Sequence, residues 1–82
     1  MLSSAQIRAA RALLRWSAQD LADGSGVGVA TIRRIELAAG VPSSNVRTLE
    51  HLRIALEAAG VEFVGTPDDR PGVRLAVNKK QN

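Results

Sequence analysis

An 82-residue chain has room for one domain, and a core of that size is marginal on its own. It has no cysteine, which excludes disulfide frameworks and thiolate metal sites, and Trp16 and Phe63 are its only aromatic residues, so the core must come from Leu, Ile, Val and Ala. The net charge of +3, with nine of eleven cations arginine, tilts toward an anionic partner, although a GC-rich coding bias would give the same arginine preference.

The opening "MLSSAQIRAARALLRW" is broken by Arg8, Arg11 and Arg15, so it reads as neither an export signal nor a membrane span, and a cytoplasmic location is expected. Ser3 and Gln6 are spaced as a capping box, which makes Ser3 the N-cap of a helix running to about Arg15. Ile7, Ala10 and Leu14 share its inner face, with Leu13 at the edge. Arg11 falls on that same face, an expensive place for a charge unless it is paired. Ser17 caps a short second helix, "AQDLAD", whose Asp20 favours the N-terminal dipole, and Gly24-Ser25-Gly26 ends it. A third helix, "VATIRRIELAA", begins at Gly28 or the next residue. Ile32, Ile35 and Ala39 share its inner face, Glu36 lies partly buried at the edge, and Gly40 and Pro42 terminate it.

Ser44 or Asn45 caps a fourth helix over roughly 46–59, with Leu49, Leu52, Leu56 and Ala59 as its buried stripe and Ile54 pointing away. Beyond Gly60, "VEFVG" and "VRLAV" alternate as half-buried strands do, and "TPDDRPG" reads as the turn of a hairpin spanning 61–77. Residues 78–82, "NKKQN", form a polar tail. An isolated hairpin is barely stable, so this one must pack on the helices or pair with another chain.

The stretch "GSGVG" places glycines at 24, 26 and 28. A dinucleotide fingerprint needs a preceding strand and a G-x-G-x-x-G spacing, and a phosphate loop needs Gly-Lys-Ser/Thr; neither is present. The single histidine, His51, sits mid-helix away from the buried stripe. With no nucleophile–base pair and no ligand set, neither enzyme, cofactor nor metal is expected. A helix, a tight turn and a helix remain. Gly26 permits the turn and Val27 points inward. Ile32 and Ile35 hold the third helix to the core, which leaves Val29, Ala30, Arg33 and Arg34 to face outward as a recognition helix would.

Over about residues 7–56 the chain resembles the helix-turn-helix of the Xre and lambda-repressor-like transcription regulators. The matching pairs are Leu21-Ala22, Gly26-Val27, Thr31-Ile32 and Ile35-Glu36. The resemblance implies a mainly α, four-helix domain over 1–60 followed by a C-terminal β-hairpin, and an ion pair between Arg11 and Glu36. It also implies double-stranded DNA as partner. Arg34 would reach a base edge, most naturally guanine, and Arg33 a base or phosphate, while Val29 and Ala30 pack on thymine methyls. Ser17 and Gln19 would bind phosphate at the second helix, Gly28 would lie in the same surface, and Arg15 and Arg47 would reach phosphates from flanking loops. The capping hydroxyl usual in the family is Gly28 here, and its usual Gln at the start of the second helix is Ala18. A homodimer joined through Val61, Phe63, Val73 and Leu75 would set two recognition helices about 34 Å apart. The alternatives are a DNA-binding antitoxin, its hairpin or Ile54 serving a toxin, and a protein acting only through protein contact.

Overall fold

The computed structural model describes residues 2–76; the expected 78–82 tail and Val77, the last residue of the expected hairpin, lie outside the described residues. Helices α1 (Ser4–Leu14), α2 (Ala18–Ser25), α3 (Val29–Leu37) and α4 (Val46–Ala58) precede strands β1 (Val61–Thr66) and β2 (Asp69–Leu75). The strands form one antiparallel hairpin, so the chain is mainly helical with a C-terminal β-hairpin.

Side chains start most of the helices. The Ser3 hydroxyl accepts from the Gln6 N–H, and the Gln6 side chain accepts from the Ser3 N–H. Ser17 and Asp20 repeat that exchange at α2, and Asn45, rather than Ser44, accepts from the Thr48 N–H at α4. These caps satisfy donors that a helix start leaves without intrahelical partners. Gly24 does not end α2. It lies within the helix, where an added Cβ would stand 3.6 Å from the Trp16 ring, and the indole covers that turn. The terminator is Gly26, at φ 77°.

Helix α3 stops at Leu37, short of the expected Ala39, because α1 captures its last carbonyls. The Ser4 hydroxyl donates to the Ile35 carbonyl at 2.7 Å, and Arg8 Nη1 donates to the Glu36 carbonyl. The Ser4 N–H donates to the Gly40 carbonyl at 2.8 Å, drawing the following loop back toward α1. Ala38 is therefore extended and Ala39 is exposed instead of on the inner face.

The core is aliphatic. Ile7, Ala10, Leu21, Ile32, Ile35, Leu52 and Leu56 are fully enclosed, joined by Val27 and Val61. Each enclosed Leu or Ile contributes about 1.5–3 kcal/mol of transfer free energy.

The hairpin turn is tighter than "TPDDRPG" suggests. Thr66 pairs with Asp69, so Pro67 and Asp68 alone make the turn, and Asp69 and Arg70 already belong to β2. A register shift between Val64 and Thr66 sits at Gly65, with φ 71°, where a Cβ would lie 2.1 Å from the Arg70 carbonyl oxygen. Only glycine fits there. The hairpin packs on its own helices. Val61 is buried, and Phe63 and Val73 lie against the core. Of the four residues expected at a dimer contact, Val61 is thus consumed within the chain and Phe63 and Val73 are largely engaged, because they line the hairpin face that closes the small core. Leu75 remains half open.

One buried amide fixes the hairpin to α1. Gln6 Nε2 donates to the Val64 and Gly72 carbonyls, each at 3.1 Å, while its oxygen caps α1. Replacing Gln6 with leucine strands three backbone groups at once. Urea unfolding of Gln6→Leu is expected to show a loss of about 2–4 kcal/mol, taking roughly 1 kcal/mol or more for each buried group left without its partner; an unchanged midpoint would contradict the clamp.

Candidate nucleic-acid interface

Ser4, Arg8 and Arg11 stand at i, i+4 and i+7 on α1, one above the other, and all three reach the last turn of α3. Arg11 makes the most contacts. Its Nε and Nη2 donate to the two Glu36 carboxylate oxygens, both at 2.8 Å, and its Nη1 donates to the Trp16 carbonyl at 2.8 Å. The Glu36 side chain is 8% exposed and that of Arg11 24%. Hydrogen bonding to Glu36 raises the Arg11 pKa above its ordinary value, against the opposing pull of burial. A paired fork of this kind fixes orientation as well as distance.

That pair, with Ile32 and Ile35, sets the roll of α3 about its axis. Glu36, Ile32 and Ile35 face inward, and Ala30, Arg33, Arg34 and Leu37 are exposed on the other side. Val29 departs from the expected outward position. It shares the stripe of Ile32 and Glu36 at i, i+3 and i+7, so it is half-buried and packs against the core. Arg34 makes one long hydrogen bond, 3.3 Å from Nη1 to the Ser43 carbonyl. Arg33 has no hydrogen bond or ion pair among the described residues. No carboxylate lies on this outward side of α3.

The flanking positions differ in availability. Arg15 closes α1 in the left-handed conformation, at φ 57°, with its side chain exposed, and Arg47 is exposed in the first turn of α4. Gly28 is the N-cap of α3 and makes no side-chain capping bond. At α2 the chain's own acids occupy the groups expected to hold phosphate. The Ser17 N–H donates to Asp20 at 2.8 Å and the Gln19 amide donates to Asp23 at 2.9 Å. A phosphate approaching there meets the Asp20 carboxylate, which opposes the dipole attraction.

Three further residues stand out in the structure, two that hold α3 and one exposed on its outward side. Ser4 and Arg8 were legible in principle from their helical spacing to Arg11. Leu37, 86% exposed, was legible as the residue seven positions after Ala30, two turns on and on the same side.

Residues 7–46 match the family model described as helix-turn-helix, a span that begins within α1, includes α2 and α3, and ends at the first residue of α4. No curated protein matches the chain. Among the described residues, no helix is long and apolar enough to cross a membrane.

Two substitutions probe this arrangement. Glu36→Gln removes the charge but keeps the shape, leaving Arg11 partly buried without a counter-ion. Because Arg11 retains some solvent access, the expected loss is about 2 kcal/mol, below the 3–5 kcal/mol of a fully buried broken pair, read by urea unfolding. Gly28→Ser has open space around the new Cβ and an ordinary extended backbone, φ −61°. It should stabilise the protein by about 0.5–1 kcal/mol, through a new cap and a less flexible unfolded chain, and raise the thermal midpoint.

Proposed function

Residues 7–46 belong to the helix-turn-helix family of the Xre and lambda-repressor-like regulators, and on that premise we propose that this chain is a sequence-specific, double-stranded-DNA-binding transcriptional regulator that acts in the cytoplasm as a homodimer. The outward side of α3 carries the reading: Ala30, Arg33 and Arg34 are exposed together, without a carboxylate, on a helix whose inner side is locked by Glu36. With its side chains an α-helix is about 10–12 Å across, which fits a major groove about 12 Å wide.

In this reading Arg34 gives up its long bond to Ser43 for a bidentate contact with guanine, and Arg33 reaches a base or a phosphate. Ala30 lies against a thymine methyl, with Val29 contributing only its uncovered edge. Arg15 and Arg47 bind phosphates, and the acids at α2 make Ser17 and Gln19 weaker contributors than the arginines. The dimer uses Leu75 and the outer strand edges of the hairpin rather than Val61, because those positions stay available once the hairpin has packed on its own helices.

The test is enrichment of duplexes from a random pool, followed by mobility-shift titrations at several salt concentrations. A common enriched site is expected, with log K falling linearly as log salt rises. Arg34→Ala should weaken binding to that site roughly 5- to 150-fold, the factor that corresponds to about 1–3 kcal/mol for a bidentate base contact. Failure to enrich any site, or equal affinity for unrelated duplexes, would remove sequence-specific reading.

A further inference from the structure

Among the described residues Leu37 is the most exposed of the large apolar side chains, at 86%. It closes α3, since the capture of the last carbonyls by Ser4 and Arg8 turns the chain into an extended Ala38 immediately afterwards. The side chain is left on the outward side of α3, in line with Ala30 and beside Arg33 and Arg34. Helical side chains lean toward the N-terminus and cover the surface over the preceding turn. Leu37 therefore leans into the arginine patch, not away from it.

We infer that Leu37 is a specificity-determining residue that packs on the C5-methyl group of a pyrimidine in the major groove. The inference rests on the proposed reading of DNA by α3 and names a chemical feature that α3 recognises. Two turns of helix separate Leu37 from Ala30 by about 10 Å, close to three base-pair steps, so the two apolar residues address different bases along one groove. The charge around Leu37 selects the partner. An apolar group flanked by two arginines, with no acid on that side, complements a polyanion that carries methyl groups between its phosphates.

Deoxyuridine differs from thymidine only by that methyl, which gives a direct probe. The site enriched by the wild-type chain is resynthesised with each thymine in turn replaced by uracil, in both half-sites if it is palindromic. Uracil opposite Ala30 should weaken the wild type and Leu37→Ala alike, whereas at one further position the replacement should weaken wild-type binding roughly fourfold, the worth of one buried methyl. Leu37→Ala should bind the thymine site less tightly by a similar factor and be indifferent to uracil at that position. Thermal unfolding of Leu37→Ala should match the wild type, because the side chain is exposed. The inference is overturned if Leu37→Ala binds with wild-type affinity, if it keeps the wild-type uracil profile, or if no uracil affects the wild type. It is likewise overturned if Leu37→Ala leaves DNA binding intact but dissociates a dimer by light scattering, which would assign the side chain to a protein contact. If the wild type enriches no site at all, sequence-specific reading fails first and takes this inference with it.

Discussion

Arg11 carries a full charge into the seam between α1 and α3, and much of the molecule is arranged around keeping it satisfied. Its three donors meet Glu36 twice and the Trp16 carbonyl once, while the Trp16 N–H donates back to the Arg11 carbonyl. The Trp16 ring then lies over Gly24 in α2. One guanidinium thus connects the first helix, the link that follows it, and the last turn of α3. Such a pair is poor evidence for net stability, since desolvation offsets much of the attraction. It is good evidence for geometry, because a partly buried fork with both carboxylate oxygens engaged tolerates little rotation of either helix.

The same helix holds the hairpin. Ser4, Arg8 and Arg11 grip α3, and Gln6 grips the carbonyls of Val64 and Gly72. The hairpin and α3 are therefore referenced to one rigid element. This solves the stability problem of a two-stranded sheet, which would not persist alone. It also helps a chain of this length enclose a core, because Val61, Phe63 and Val73 close it from below while α2 and α4 close the other sides.

The readable parts of the sequence were those governed by local chemistry. Ser3, Ser17 and Asn45 act within one turn of themselves, so their capping was visible from spacing, as was the inward stripe of Ile7, Ala10, Ile32 and Ile35. The lone charge of Arg11 on that stripe demanded a counter-ion, since burying it unpaired is too costly for a small domain. What spacing could not show were the outcomes decided by contacts distant in sequence. The end of α3 depends on α1 side chains some thirty residues earlier. Gly24 stays helical under Trp16, and the hairpin turn contracts because the register shifts at Gly65, which faces two β2 residues, Arg70 and Pro71. Val29 was a different kind of miss. Its spacing to Ile32 and Glu36 places it at the inner edge, and its position at the start of the helix does not turn it outward.

The distribution of ion pairs sharpens the small excess of positive charge into a surface. Arg53 bridges Glu50 and Glu57 on α4, where its hydrogen bond holds the Glu50 carboxyl below the usual carboxylate range. Arg74 pairs with Glu62 across the hairpin and Arg70 with Asp69 at its turn. Exposed pairs like these add little to stability, but they neutralise the field of the α4 and hairpin surfaces. Arg15, Arg33 and Arg47 have no acidic partner among the described residues, Arg34 touches only a carbonyl, and all four belong to α3 or to the ends of the neighbouring helices. With Arg8, which also touches only a carbonyl, the uncompensated positive charge of the described residues gathers around α3 and the helix ends beside it, while Asp20 and Asp23 on α2 and Asp68 at the hairpin turn are, among them, acids without a cationic partner. A long-range attraction to a polyanion would then be directed at that helix and not spread evenly over the protein.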